Sequence, residues 1–354
     1  MNRALKIKFS RRGIYNALLM IAMTIIIGGN TSIYDYEAYK NSYLNIIKPK
    51  FERGYLWLED LCSNVITFDA FKILVCCFSL YVIYKFANKM NENTIVVLLL
   101  YFLYPFPQDG ALIRNTIAKS ICFIGFYVLL SKRRYNKLLS FLLIALASQF
   151  HSISIVYMIP VIAWIIYEGN KLQRRKIIKC LITVIAIFAI ITSLYRPLLN
   201  YLISTISLVS FFAGAKEVYL NIAGRYGFLV YTCIQLLLLY ILYLSWLQLK
   251  ETDNKDINIQ ATSKLVLFLI VICSSLLFML PLYKTNSNYF RVFMNIIPLV
   301  YIGVISTLKL TKGIKSKRRN EIILLLIIEM GICLAISGNF DIIFMYKQSN
   351  WILN

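Results

Sequence analysis

The chain has 354 residues, 59% of them hydrophobic, and a mean hydropathy of +0.69. Because the apolar residues form long runs, the composition excludes an ordinary soluble domain and predicts an all-α integral membrane protein with one polytopic domain over residues 1–354. The formal net charge is +22. The basic residues lie mostly in short loops between apolar runs, which indicates cytoplasmic loops and contact with membrane lipid. No nucleic-acid motif accompanies the charge, so we expect no nucleic-acid partner.

Taken in chain order, the apolar runs predict about eleven transmembrane helices, since a span needs roughly 20 apolar residues and about 17 suffice. A cytoplasmic N-terminus leaves most Lys and Arg residues on the inner side, so the charge distribution favours that orientation. The predicted spans are 14–29, 67–87, 93–107, 112–130, 136–150, 152–167, 178–194, 227–249, 264–282, 292–308 and 321–340.

The same charge rule decides two ambiguous regions. Two short spans that turn at His151 keep the next basic loop inside, whereas one long span over 136–167 would move it outside. Residues 195–226 become an outer loop, because a span there would invert the later loops. The outer surface then has two large loops, 30–66 and 195–226, in which we expect amphipathic helices at the membrane interface.

One predicted span, with the loop before it, carries an unusual group of polar residues. Arg114 lies two or three residues into the span near its outer end, Asn115 and Lys119 follow it, and Gln108 and Asp109 precede it. An arginine at this depth can simply extend its side chain to the lipid headgroups. The grouping favours instead a water-filled cavity in which Arg114, Asn115 and Gln108 bind substrate.

Three further residues are candidates for acid–base chemistry. His151 is the only histidine and lies at a predicted outer turn, although a lone histidine can equally be a structural residue bonded to its neighbours. Asp35 follows the first span, and Glu52 lies in a segment with apolar residues at helical spacing. Either carboxylate can equally be solvated in a loop. We predict His151, Asp35 and Glu52 as the catalytic candidates.

Two more arginines fall on the outer side. Arg225 closes the second large outer loop and Arg291 opens a later span, and either can instead anchor lipid headgroups. The predicted topology brings these arginines, Arg114 and the catalytic candidates to one membrane face. Tyrosines and tryptophans crowd that face as an interfacial belt or as platforms for sugar rings. Since arginine binds phosphate bidentately, the pattern predicts a site for a lipid with a diphosphate headgroup.

The sequence offers little for metal binding. Eight cysteines lie mostly within apolar segments, none forms a C-x-x-C pair, and one histidine cannot build a His-rich site. We therefore expect no metal and no cofactor.

These motifs resemble the EpsG family of bacterial exopolysaccharide proteins, relatives of the Wzy-type O-antigen and capsule polymerases. The similarity extends over most of the chain in order and is specific in combination. The matching elements are an acidic residue with tyrosines at 35–39, E-x-G-aromatic at 52–55, R-x-x-[IL]-A at 114–118, a basic turn at 132–134, A-x-x-F-H-x-x-S at 147–154 and Y-F-R at 289–291.

The resemblance implies a metal-independent membrane glycosyltransferase with a GT-C-like fold. Such enzymes join undecaprenyl-diphosphate-linked oligosaccharide repeat units at the outer face of the bacterial plasma membrane, for O-antigen, capsule or exopolysaccharide. A sugar hydroxyl of one unit takes the growing chain from its polyprenyl diphosphate. The implied partners are this lipid-linked substrate, membrane lipid and a chain-length regulator.

Two alternatives remain from the sequence. A flippase or other transporter of lipid-linked oligosaccharide should carry charges along a path through the membrane and show internal repeats. The charges here gather at one predicted face, which favours the enzyme. A structural membrane protein should tolerate Arg114→Ala.

Overall fold

The computed structural model describes residues 11–30, 35–47, 50–90, 93–131, 134–169, 183, 187, 227–252, 256–285, 287–312 and 317–337. Within these residues, every secondary-structure element is an α-helix or a 3-10 helix. Outside the described residues lie most of the predicted span 178–194, the whole loop 195–226 and the residues after 337.

The first half of the chain alternates long helices with short ones. Two short helices, Tyr36–Tyr43 and Arg53–Ser63, follow the first long helix and are joined by a hydrogen bond in which the Ser42 hydroxyl donates to Oε2 of Glu59 at 2.6 Å. The helices are α1 Arg11–Gly29, α2 Tyr36–Tyr43, α3 Arg53–Ser63, α4 Phe68–Met90, α5 Thr94–Leu103, α6 Phe106–Ala111, α7 Ile113–Leu130, α8 Asn136–Ser148, the 3-10 helix Ser152–Tyr157 and α9 Met158–Gly169.

The second half contains longer apolar helices with breaks near one end. Asp256 caps the helix after it, since its side chain accepts from the Asn258 backbone N–H at 2.8 Å. The elements are α10 Gly227–Lys250, α11 Ile257–Ser275, the 3-10 helix Leu276–Met279, α12 Leu280–Thr285, the 3-10 helix Ser287–Tyr289, α13 Phe290–Met294, α14 Ile297–Leu310 and α15 Lys317–Ser337.

Six segments of the described chain are helical, long and apolar enough to cross a membrane, which makes this a multi-pass membrane protein. Shorter apolar helices accompany them at α1, α5 and α8. The predicted number of eleven spans and the GT-C-like architecture remain predictions. The spanning segments are Phe68–Met90, Ile113–Leu130, Ser152–Gly169, Phe228–Lys250, Ile257–Tyr283 and Phe290–Leu310.

Burial identifies the centre of the bundle. The spans that contain α7, α11 and α14 are 78%, 78% and 89% buried, whereas those of α9 and α10 are only 39% buried. Helix α7 packs against α4 and α8, and α14 packs against α5, α10 and α11. Helix α7, which carries Arg114 in its first turn, therefore lies at the centre of the bundle.

The predicted span boundaries need two corrections. The span 93–107 is shorter than predicted, because α5 ends at Leu103 and Gln108 belongs to the separate helix α6 rather than to a loop. A proline is tolerated in the first turn of a helix, where its missing N–H has no partner to lose, so Pro107 is compatible with this restart. The span 292–308 is also interrupted, between α13 and α14.

Candidate active site

A carboxylate and an arginine from distant segments meet at one end of the bundle. An Nη of Arg114 donates to Oε2 of Glu52 at 2.5 Å, and its Nε donates to the Tyr39 hydroxyl at 3.4 Å. The centre of the guanidinium lies 4.0 Å from the centroid of the Phe51 ring. Arg114 is therefore fixed on two sides, by a charged partner and by an aromatic face.

The other oxygen of Glu52 faces the turn between α8 and the next 3-10 helix. The Ser152 backbone N–H donates to Oε1 at 2.9 Å, and Nδ1 of His151 lies 3.4 Å from the same oxygen. The second distance exceeds that of a well-formed hydrogen bond, so His151 and Glu52 are in close polar contact without a short hydrogen bond. The Glu52 carboxylate thus joins Arg114 and His151, which lie on different helices.

The start of α3 packs directly on the same turn, and this contact requires a glycine. A Cβ atom at Gly54 would lie 2.8 Å from both Cβ and the carbonyl oxygen of Gln149. The next residue, Tyr55, donates its backbone N–H to that carbonyl at 3.3 Å. The E-x-G-aromatic and F-H-x-x-S elements therefore contact each other directly.

Opposing influences set the protonation of the acid and the base. Burial, the largest influence on Glu52, raises its pKa, but the contacts with His151, Arg114 and the Ser152 N–H outweigh it and lower the pKa to about 2. Burial lowers the pKa of His151, the contact with Glu52 opposes this, and the charges of Arg114 and Arg291 reinforce it. Glu52 is therefore an anion and His151 a neutral imidazole at neutral pH.

Arg291 and Asp35 lie near this cluster without joining its hydrogen bonds. Arg291 is half-buried in α13, forms no ion pair with a described residue, and is close enough that its charge lowers the pKa of His151. Asp35 precedes α2, and its backbone carbonyl accepts from the Tyr39 N–H at 3.0 Å. The structure thus brings Glu52, Arg114 and His151 together, with Arg291 and Asp35 nearby.

The family model described as the EpsG family matches residues 14–347. This covers nearly the whole chain, including every motif at the site. The chain belongs to the EpsG family. Membership makes it a membrane protein of polysaccharide biosynthesis and, at a coarse level, a glycosyltransferase-like enzyme. No curated protein and no solved structure matches the chain significantly.

The remaining residues predicted to bind substrate in this EpsG-family protein differ in their surroundings. Asn115 is buried, and its side-chain amide is bonded to that of Asn295. Gln108 is half-buried in α6. Arg225 lies outside the described residues. Substrate binding by these three residues remains a prediction, and the hydrogen-bonding groups of the Asn115 amide are already engaged with Asn295.

The residues that surround Arg114 in the structure were not identifiable from the sequence. Tyr39 and Phe51 hold its guanidinium, and a backbone N–H of Ser152 holds its carboxylate partner. The sequence elements that contain these partners are the acidic residue with tyrosines at 35–39 and the region of the E-x-G-aromatic element at 52–55. Their aromatic residues, however, fitted an interfacial belt equally well before the contacts were visible.

Two of the polar residues near the start of α7, Asp109 and Lys119, are paired with each other in this EpsG-family protein and are not solvated. Lys119 is buried and donates to Oδ2 of Asp109, and the Tyr101 hydroxyl donates to the same oxygen at 2.7 Å. The adjoining cavity has a volume of about 10 Å³, which is at the lower limit for one water molecule. The prediction of a water-filled cavity is therefore wrong for Asp109 and Lys119. Among the described residues, no cluster of three or more metal-ligating side chains is present.

Proposed function

We propose that this EpsG-family protein is a polysaccharide polymerase that joins polyprenyl-diphosphate-linked oligosaccharide repeat units at the outer face of the plasma membrane. The observation that carries the proposal is the meeting of Glu52, Arg114 and His151 at one end of the bundle, with Arg291 beside them. Cations for a diphosphate and a base for a hydroxyl are the two requirements of this transfer.

The arginines are suited to the leaving group. When the sugar C1 is transferred, its bond to the diphosphate oxygen breaks, and the diphosphate leaves with increased negative charge. Arg114 uses two N–H groups on Glu52 and Tyr39, and its other donors remain for a phosphate. Arg291 forms no ion pair with a described residue, so its charge is available as well.

His151 is suited to the acceptor. A proton on Nδ1, which faces the Glu52 carboxylate, leaves Nε2 as the basic nitrogen. Nε2 would take the proton of the acceptor hydroxyl as its oxygen bonds to C1. Glu52 would remain ionised and hold both Arg114 and the imidazole, so we assign it a positioning role. The role of Asp35 remains a prediction.

The helices that lead to the site support a lipid substrate. Helix α3 buries Tyr55 and Glu59 on one face, whereas Trp57 and Leu61 are 64% and 57% exposed on another. An exposed apolar face on a helix at the end of a membrane bundle suits the lipid interface. A substrate with a polyprenyl chain could then reach Glu52 and Arg114 from the membrane.

Substitution at the site tests the proposal. We expect Arg114→Ala and His151→Ala to abolish polymer lengthening while the protein still inserts, leaving single repeat units on the lipid. The matched control is Arg318→Ala, because Arg318 also pairs with a carboxylate, Glu251 at 2.6 Å, in a different part of the bundle. Polymer of normal length from Arg114→Ala would contradict the proposal.

A second experiment separates a polymerase from a transporter. Purified protein in detergent has no membrane between two compartments, so a transporter has no measurable product there. We expect polymer to form from added lipid-linked repeat units, and to be lost in Arg114→Ala. Absence of polymer with folded wild-type protein would favour the transporter.

A third experiment tests which membrane side carries the site. A cysteine is introduced within 148–154 and is labelled with a reagent added from outside the cell.

A further inference from the structure

A reciprocal amide pair connects the helices that carry the two described arginines of the site. The side-chain N–H of Asn115 donates to Oδ1 of Asn295 at 2.8 Å, and that of Asn295 donates back to Oδ1 of Asn115 at 2.9 Å. Asn115 follows Arg114 in α7. Asn295 lies one turn after Arg291, whose carbonyl accepts its backbone N–H at 3.0 Å. The pair is therefore one residue from one arginine and one turn from the other.

A second buried hydrogen bond connects the same segment to His151. The Tyr157 hydroxyl donates to the carbonyl oxygen of Val292 at 2.5 Å. Tyr157 ends the 3-10 helix that begins directly after His151, and Val292 directly follows Arg291. The ring of Tyr157 also meets Phe126 of α7 edge to face. The segment around Arg291 is thus bonded to both helical segments that contribute to the site.

The form of the amide pair favours a geometric role. Asn115 and Asn295 are 2% and 1% exposed, so each amide depends on the other for these hydrogen bonds. Hydrogen bonds between membrane helices add little to stability on average, because the unfolded protein in the membrane finds other partners. Two antiparallel bonds between planar groups fix a distance and an orientation, which one apolar contact does not.

We propose that Asn115 and Asn295 are positioning residues that set the separation of Arg114 and Arg291, and that this separation determines specificity for a diphosphate over a monophosphate headgroup. The inference rests on the proposed function. A monophosphate can be held by one guanidinium, whereas a diphosphate offers one phosphoryl group to each. A change in their separation therefore weakens diphosphate binding selectively.

A double-mutant cycle with two probes tests the inference. Full-length protein in lipid nanodiscs is titrated with farnesyl diphosphate and farnesyl monophosphate. We expect Asn115→Leu and Asn295→Leu each to weaken diphosphate binding about tenfold, equivalent to one lost charge-assisted contact, with less than about a twofold effect on the monophosphate. Because the interaction is shared, the double variant should be no weaker than either single variant.

The control makes the same chemical change elsewhere. Asn136 donates to the carbonyls of Leu129 and Ser131 near the far end of α7, so Asn136→Leu removes comparable bonds and should leave the preference for diphosphate unchanged. Tyr157→Phe removes only a hydroxyl and repeats the test if a Leu variant fails to fold. It should reduce the preference about threefold, the average effect of a membrane hydrogen bond.

The contrary outcomes are distinguishable. A large loss from Asn115→Leu with none from Asn295→Leu would overturn the inference, since Asn115 would then be a direct ligand. A preference for diphosphate that survives both substitutions would also overturn it, while leaving the proposed function intact. Wild-type protein that binds both probes equally would refute the proposed function itself.

Discussion

Two carboxylate–cation pairs lie near the start of α7, and they differ in exposure. The side chains of Arg114 and Glu52 are 20% and 14% exposed, whereas those of Lys119 and Asp109 are 0% and 1% exposed. The cations are five residues apart, about 7.5 Å along the helix. One pair borders solvent at the end of the bundle, and the other is enclosed between helices.

The enclosed pair is structural, and the exposed pair can act on a ligand. Lys119 donates to Asp109 and also to the Tyr101 hydroxyl at 3.2 Å, and Thr116 donates to the backbone carbonyl of Asp109 at 2.7 Å. These contacts fix α6 and α5 to α7. The partial exposure of Arg114 leaves donors for a substrate. Exposure therefore separates two pairs that the sequence presents as one polar group.

The largest expected effect comes from breaking the enclosed pair. Lys119→Met should destabilise the protein by about 3–5 kcal/mol, because it leaves the Asp109 carboxylate buried without its cation. Arg114→Met should cost less stability, since Glu52 keeps some access to solvent and its bond from Ser152. The unfolding midpoint of each variant in detergent measures the difference.

A double substitution sharpens this test. Asp109→Leu combined with Lys119→Met should recover much of the lost stability, because apolar residues often replace a buried ion pair without loss. Equal destabilisation by Lys119→Met and Arg114→Met would show that the two pairs do not differ as their exposure indicates.

Acid should weaken the exposed pair in a defined range. The pKa of Glu52 is about 2 against an ordinary 4.5, so its contribution to stability is fully present above pH 4.5 and is lost as the pH falls toward 2. At about 1.4 kcal/mol per pKa unit, the contribution is on the order of 3 kcal/mol. The difference in unfolding free energy between wild type and Glu52→Gln should shrink across this range. A difference independent of pH would contradict the assigned pKa.

The smallest expected effect comes from disturbing the contact between Gly54 and Gln149, which positions Glu52 beside Arg114. Gly54→Ala should destabilise the protein by about 1–3 kcal/mol, because the new methyl group overlaps Gln149 and moves α3 from the His151 turn. It should lower the proposed polymerase activity as well. Gly331→Ala is the matched control, since a Cβ there meets nothing within 4 Å. If Gly54→Ala changed neither stability nor activity, the close approach of Gly54 to Gln149 would not be needed to hold the Glu52 carboxylate.

Much of the helical organisation could be predicted from apolar runs. The turn at His151 between two short helices is confirmed, since α8 ends at Ser148 and a 3-10 helix begins at Ser152. The break after Leu103 and the helix α6 could not be found from hydropathy. Hydropathy carries no information about the backbone geometry around Pro105 and Pro107. That geometry decides where one helix ends and the next begins.

The sequence indicated which residues of the candidate site would meet better than it indicated their contacts, and their functional roles remain predictions. Glu52, Arg114 and His151 come together as the topology predicted. Pairing could not be deduced, because hydropathy and spacing do not say which partner a buried polar group finds. Lys119 and Asn115 show this, since both looked like cavity-lining residues and both are bonded to other protein groups.

The position of Arg114 against the Phe51 ring has a consequence for turnover. A free arginine side chain loses up to ~2 kcal/mol of rotamer entropy when a ligand immobilises it. The guanidinium here is already held by Phe51, Tyr39 and Glu52. This entropy is already lost when the protein folds, so in the proposed reaction each cycle would begin with an ordered cation.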